Sequence, residues 1–227
     1  ALSAPAAIAA GLVAIWAALA AVTLSKGGIT IDAHEGDALH MAAIVLRMAG
    51  GEWPHLDFMT PIGVGAMAPI AGFVWAGAGV GHAFLLSQAA VAAALLPALW
   101  WVGVTRLGGG RLALGFGALV YGGADTDVSV SMHYNRWAWA VAWVLLAALL
   151  IPADRSAPRL DGAMIGAGLA SLAVIKITYF AAVAPVALLA LLLRRQRRAL
   201  AWAATTGLGV AGFVTALAGP GLWLAYL

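Results

Sequence analysis

Long apolar segments separated by short polar ones run the length of this chain. The first covers residues 5–24. A polar stretch follows at 25–61, then two apolar segments fill 62–105 with a break near "GAGVGH" (77–82). Further apolar segments lie near 137–152, 162–175, 179–193 and 199–218. In hydrocarbon a backbone N–H or C=O has no water to bond, so each segment must satisfy its own groups, which a helix does. The pattern therefore predicts seven helices crossing a bilayer. The piece "RLALGFGALVYGG" (111–123) stays apolar for only about a dozen residues, a length that fits a re-entrant or interfacial segment. The expected fold class is all-α: a polytopic integral membrane bundle of about seven transmembrane helices, one interfacial helix and one re-entrant segment.

Inside the polar stretch, "GDALHMAAIVLRMAGG" (36–51) predicts a short helix, with Asp37 at its start and Gly50–Gly51 at its stop. Leu39, Ala42, Ala43, Leu46 and Ala49 recur at helical spacing on one face. The helix is too short to span and is expected to lie along the interface. Pro54 and Pro61 then break helix, and Trp53 and Phe58 suit the headgroup level. The chain is read as one transmembrane domain, 1–227, with 25–61 as an outer loop. Both ends fall in apolar sequence, so it is expected to be part of a longer protein.

Composition strengthens this picture. Hydrophobic residues make up 64% and charged residues 9%, with a mean hydropathy of +0.98. Soluble domains are about 45–50% apolar and about 25% charged. There is no cysteine, so disulfides, thiolate metal sites and thiol nucleophiles are excluded. A net charge of +3 would suit a nucleic-acid partner, but four of the twelve basic residues sit in one run, "RRQRR" (194–198), flanked by apolar sequence. That is a cytoplasmic anchor by the positive-inside rule, and no nucleic acid is expected.

Placing that run inside puts "ADRSAPRLD" (153–161) inside as well, so the inner loops hold Arg155, Arg159, Arg194, Arg195, Arg197 and Arg198. With 111–122 re-entrant, loops 25–61, 106–111 and 123–136 all fall outside, together with most of the acids. A fully crossing 111–122 would instead set 25–61 and 123–136 on opposite faces.

Three polar clusters are candidates for chemistry. The first, "IDAHEGDALH" (31–40), holds Asp32, Glu35 and Asp37. A carboxylate there suits a general base taking the proton of an acceptor hydroxyl, or two suit a divalent cation that neutralises a phosphate leaving group. The plain alternative is a solvated loop whose acids cap the next helix. The second, "GGADTDVSVSMHYNRW" (122–137), carries Asp125 and Asp127, which as alternate acids suit Mg2+ or Mn2+. A lone D-x-D also arises from turn preference. Arg136 suits a phosphate, and Trp137, Trp139 and Trp143 read as an interfacial belt. The third is Lys176, in "LAVIKITYF", either functional at membrane depth or snorkelling from a tight outer turn. His34, His40, His55, His82 and His133 form no metal-ligand spacing and read as loop or packing residues. The many glycines within spans suit close helix packing.

An acid-bearing loop, a surface helix ending in "GGEWPHLDFMTPIG", and a later "GLASLAVIKITYF" together resemble the first half of a membrane glycosyltransferase of the C superfamily, whose members use polyprenyl-phosphate sugars. The resemblance implies a periplasmic active site in a bacterial inner membrane. It implies a catalytic acid among Asp32, Glu35 and Asp37, and metal-binding acids at Asp125 and Asp127. Lys176 or Arg136 would meet the lipid phosphate, with His40, His55 and Asp57 around the substrate. The partners expected are the lipid bilayer, the polyprenyl-phosphate sugar and other membrane subunits. Two other classes fit the same composition: a non-catalytic accessory subunit of a membrane complex, and a transporter fragment.

Overall fold

A computed structural model describes residues 3–29, 35–123, 132–155 and 157–226, with the backbone alone at Glu35 and Gly123. Asp32, Asp125 and Asp127 lie outside the described residues. Within them the chain is helical: α1 (Ala4–Ser25), α2 (Glu35–Ala49), α3 (Val64–Trp75), α4 (Val80–Ala94), α5 (Leu96–Arg106), α6 (Gly110–Gly123), α7 (His133–Leu150), α8 (Pro158–Ile175), α9 (Ile177–Leu193), α10 (Arg197–Ala218) and α11 (Gly221–Tyr226). Among the described residues four stretches are long and apolar enough to cross a membrane: Ala4–Ser25, Val80–Arg106, Pro158–Ile175 and Arg197–Ala218. Helices α3 and α9 are apolar but shorter.

Contacts define two opposite faces. At one, the Trp100 indole donates to the Pro5 carbonyl (3.0 Å), so the start of α1 meets the middle of α5. Arg106 there pairs with Asp161 at the start of α8 and donates to the Ala148 carbonyl near the end of α7. Arg194, closing α9, donates to Leu150 O (2.8 Å). At the other face the Gly63 amide donates to Ile175 O (2.9 Å), joining the approach to α3 with the end of α8. His133, opening α7, meets Ala66 and Phe84, and Gly81, in the first turn of α4, packs on Ile29 just beyond α1.

These contacts correct two expectations about chain direction. Residues 62–105 do not hold two crossings of the bundle. Helix α3 has 12 residues, about 18 Å against a hydrocarbon thickness of about 30 Å. Both of its neighbours along the chain, Gly63 and Val80, lie at the same face. Conversely, 111–123 is not re-entrant. Helix α6 starts beside Ile8 and Gly103 at the face of Arg106 and runs away from it, until Tyr121 donates to the Ala92 carbonyl (3.0 Å). Loop 107–109 therefore sits with the arginines, not with 25–61 as expected. Because both assignments reverse, the described residues of 25–61 and the start of α7 still share one face.

The charges now separate more cleanly than expected. The arginine face carries Arg106, Arg111, Arg155, Arg159, Arg194, Arg195, Arg197 and Arg198, eight of the twelve basic residues, and among the described acids only Asp154 and Asp161 lie beside them.

The tightest packing joins α8 to α10. Gly162 and Gly166, one helical turn apart, lie against the backbone of Ala199 and Ala203, and no Cβ fits at either glycine. Small residues at i and i+4 on both helices let the backbones approach this closely. Helix α2 packs on the bundle through Ala38, Met41, Ile44 and Val45, while Leu39 and Leu46 are exposed. The expected stripe thus points away from the core, because a second and bulkier stripe at the same spacing faces it. Trp137 is likewise not part of an exposed belt. It is buried, its indole donating to Gln88 Oε1 (2.5 Å), while Trp139 and Trp143 remain exposed.

Candidate functional site at the far face

Four pieces of chain meet at the face opposite the arginines: the start of α2, the turn 50–63, the start of α7 and the junction between α8 and α9. The junction is a single residue. Lys176 takes an extended conformation (φ −163°, ψ 121°), ending one helix and starting the next without a loop. Such a break strands backbone groups that must find partners. The Tyr226 hydroxyl supplies two of them, donating to Ala173 O (2.9 Å) and accepting from the Ile177 amide (2.9 Å). Gly63 takes Ile175 O. The half-buried Lys176 side chain sets its ammonium 5.3 Å from the centre of the Tyr134 ring, within the range of a cation–π contact.

Asp37, in the first turn of α2, lies on the Tyr134 side of this face. Beside Tyr134 the Tyr179 hydroxyl donates to Asn135 Oδ1 (2.8 Å), tying α9 to α7. Arg136 is half-buried one residue further along α7. Asp37 is exposed in the first turn of α2, and Glu35 lies in the same turn. Asp37, Arg136 and Lys176 are therefore gathered at one face.

The turn 50–63 forms the adjoining wall, and here the expected substrate groups have structural partners. His55 is buried in a left-handed conformation (φ 71°). Its Nε2 donates to Ile62 O (3.1 Å), and its ring lies 4.6 Å from Tyr226. Burial lowers its pKa from the ordinary histidine value, with the Ile62 bond opposing. Asp57 accepts from the Trp53 amide (2.6 Å) and closes the turn. Glu52 pairs with Arg47, whose guanidinium covers Phe58 at 4.1 Å. His40 is exposed on α2. His55 and Asp57 thus build the wall, which a sequence pattern of polar residues beside prolines does not distinguish from substrate binding.

Among the described residues no group of three His, Asp or Glu side chains is arranged to hold a metal ion. Tyr134, Tyr179 and Tyr226 are the neighbours that sequence reasoning missed. The first two sit beside residues it had singled out, whereas nothing local signals that Tyr226 bridges a helix break 49 residues away. No known protein family, curated protein or solved structure matches this chain.

Proposed function

We propose that the far face is the active site of a membrane glycosyltransferase that moves a sugar from a polyprenyl-phosphate donor to a lipid or glycan acceptor. In this reading α1, α4–α5, α6, α7, α8, α9 and α10 make seven crossings, while α2 and α3 lie at the far face. The arginine face is cytoplasmic by the positive-inside rule, and the far face is periplasmic in a bacterial inner membrane. The observation that carries the reading is the Lys176 ammonium set 5.3 Å from the centre of the Tyr134 ring, at the face that also carries Asp37.

In the transfer, an acid of the first outer segment takes the proton of the acceptor hydroxyl. Asp37 is the described candidate, with Glu35 and Asp32 beside it in sequence. The hydroxyl oxygen attacks the anomeric carbon opposite the phosphate and inverts it. The bond from that carbon to the phosphate oxygen breaks, and its electron pair leaves on the polyprenyl phosphate. Lys176 and Arg136 bind and stabilise that developing charge. Asp125 and Asp127 are the residues that would hold Mg2+ or Mn2+, which when bound would neutralise the same phosphate.

The test uses the full chain in lipid vesicles, supplied with a panel of radiolabelled sugars on a short polyprenyl phosphate and a crude glycolipid acceptor. Transfer with release of polyprenyl phosphate is expected. Asp37→Asn and Lys176→Met should each lower it by about a hundredfold or more without lowering the unfolding midpoint. Absence of transfer with every donor, or full activity in both variants, contradicts the reading.

The accessory-subunit alternative has one observation in its favour. Helix α10 buries only Ala199 and Ala203, which leaves a long apolar surface for a partner helix. Lipid covers such a surface equally well.

A further inference from the structure

The arginine face holds a groove that the proposed glycosyl chemistry does not use. It has a volume of about 700 Å3 and is lined by Ala157, Pro158, Arg159, Leu160, Arg198 and Trp202. Its origin lies in the α8–α10 contact. The glycine–alanine packing at Gly162, Gly166, Ala199 and Ala203 brings the two helices together with their N-termini at the same face. The partial positive charge of both helix starts is therefore added to two guanidinium groups.

Arg159 lies over the Trp202 ring at 5.9 Å. No carboxylate lines the groove. The acid in the first turn of α8, Asp161, is buried against Arg106 and does not neutralise it. The walls are mixed in character: Leu160 and Trp202 are exposed apolar surface beside the two arginines.

Positive charge set directly beside exposed apolar surface matches an amphiphilic anion. Bidentate guanidinium groups suit phosphate, tryptophan suits the headgroup level, and basic pockets between membrane helices on the cytoplasmic side suit anionic headgroups. We propose that this groove binds the phosphate of an anionic glycerophospholipid, with Arg159 and Arg198 on the phosphate and Leu160 and Trp202 against the upper acyl chains. The site is independent of the far-face chemistry.

The experiment measures lipid retained by the purified full chain in detergent, by native mass spectrometry, on titration with phosphatidylglycerol or phosphatidylcholine. Phosphatidylglycerol should be retained at a concentration about tenfold lower than phosphatidylcholine, and Arg159→Gln with Arg198→Gln should weaken its retention about thirtyfold. The control Arg155→Gln with Arg195→Gln removes the same charge from the same face outside the groove and should change retention less than threefold. All four positions are exposed, so folding is not at stake, and an unchanged unfolding midpoint verifies this. Equal retention of the two lipids, or equal loss in both double variants, overturns the proposal. Displacement of phosphatidylglycerol by millimolar inorganic phosphate assigns the groove to free phosphate and overturns the lipid assignment.

Discussion

The two faces of the bundle use polar residues in opposite ways. At the arginine face a charge is taken inside and fully engaged. Arg106 pairs with Asp161 (2.6 Å), donates to Ala148 O and Thr105 Oγ1, and the Trp101 indole donates to the same Asp161 oxygen. That network locks the ends of α5, α7 and α8 together. At the far face Asp37 and Lys176 stay at least partly exposed, and the neighbouring wall of His55, Asp57 and Tyr226 carries the structural hydrogen bonds. Buried pairs are costly to disturb, while partly exposed charges are available for chemistry. The contrast predicts that stability is sensitive at one face and function at the other.

The largest effect is expected at the buried pair. Asp161→Ala strands the Arg106 guanidinium and should cost about 3–5 kcal/mol, read as a lowered unfolding midpoint in detergent. Replacing both partners, Asp161→Ala with Arg106→Met, should recover most of that loss, since apolar packing then replaces two buried charges. A double variant as unstable as the single one would mean that something other than ion pairing holds this face.

At the far face the sensitive position is the one that satisfies backbone. Tyr226→Phe leaves Ala173 O and the Ile177 amide unpaired and should cost about 1–3 kcal/mol. Its ring contact with His55 is retained, so a loss within noise would show that water replaces the hydroxyl.

The smallest effect is a pH dependence. His55 has its pKa lowered in the folded chain by burial, so the unfolded chain takes up the proton first as pH falls. Its contribution is fully present above the ordinary histidine pKa, about 6.5, and is lost as pH drops through and below that value. The unfolding midpoint should fall between about pH 7.5 and 5.5, and His55→Gln should flatten that dependence. An unchanged slope in the variant assigns the effect elsewhere.

Much of the helical organisation was legible because hydrocarbon leaves the backbone few other choices. Which apolar stretch traverses the bundle was not. Apolar length gives no direction, so the run 62–105 divided evenly on paper, whereas a 12-residue α3 tethered at Gly63 cannot traverse. The shorter apolar run of α6 looked too brief, yet the chain continues to His133 at the far face. The two reversals offset, which is why Asp37, the start of α7 and Lys176 fall at one face as the pattern implies although the route does not follow from it. The wall was less legible still. The tie between Tyr226 and the α8–α9 break depends on where α11 folds back, and no periodicity encodes that.

The central claim is that the turn 50–63 and the α3–α4 turn share a compartment opposite loop 107–109. The chain has no cysteine, so single reporters are unambiguous. Met59→Cys, Ala76→Cys and Gly109→Cys, each at an exposed position, are labelled with a membrane-impermeant maleimide in sealed vesicles of known orientation. The account predicts that positions 59 and 76 react from one side and 109 only from the other. Labelling of 59 and 76 from opposite sides would make α3 a crossing helix and remove the shared face on which the proposed chemistry rests.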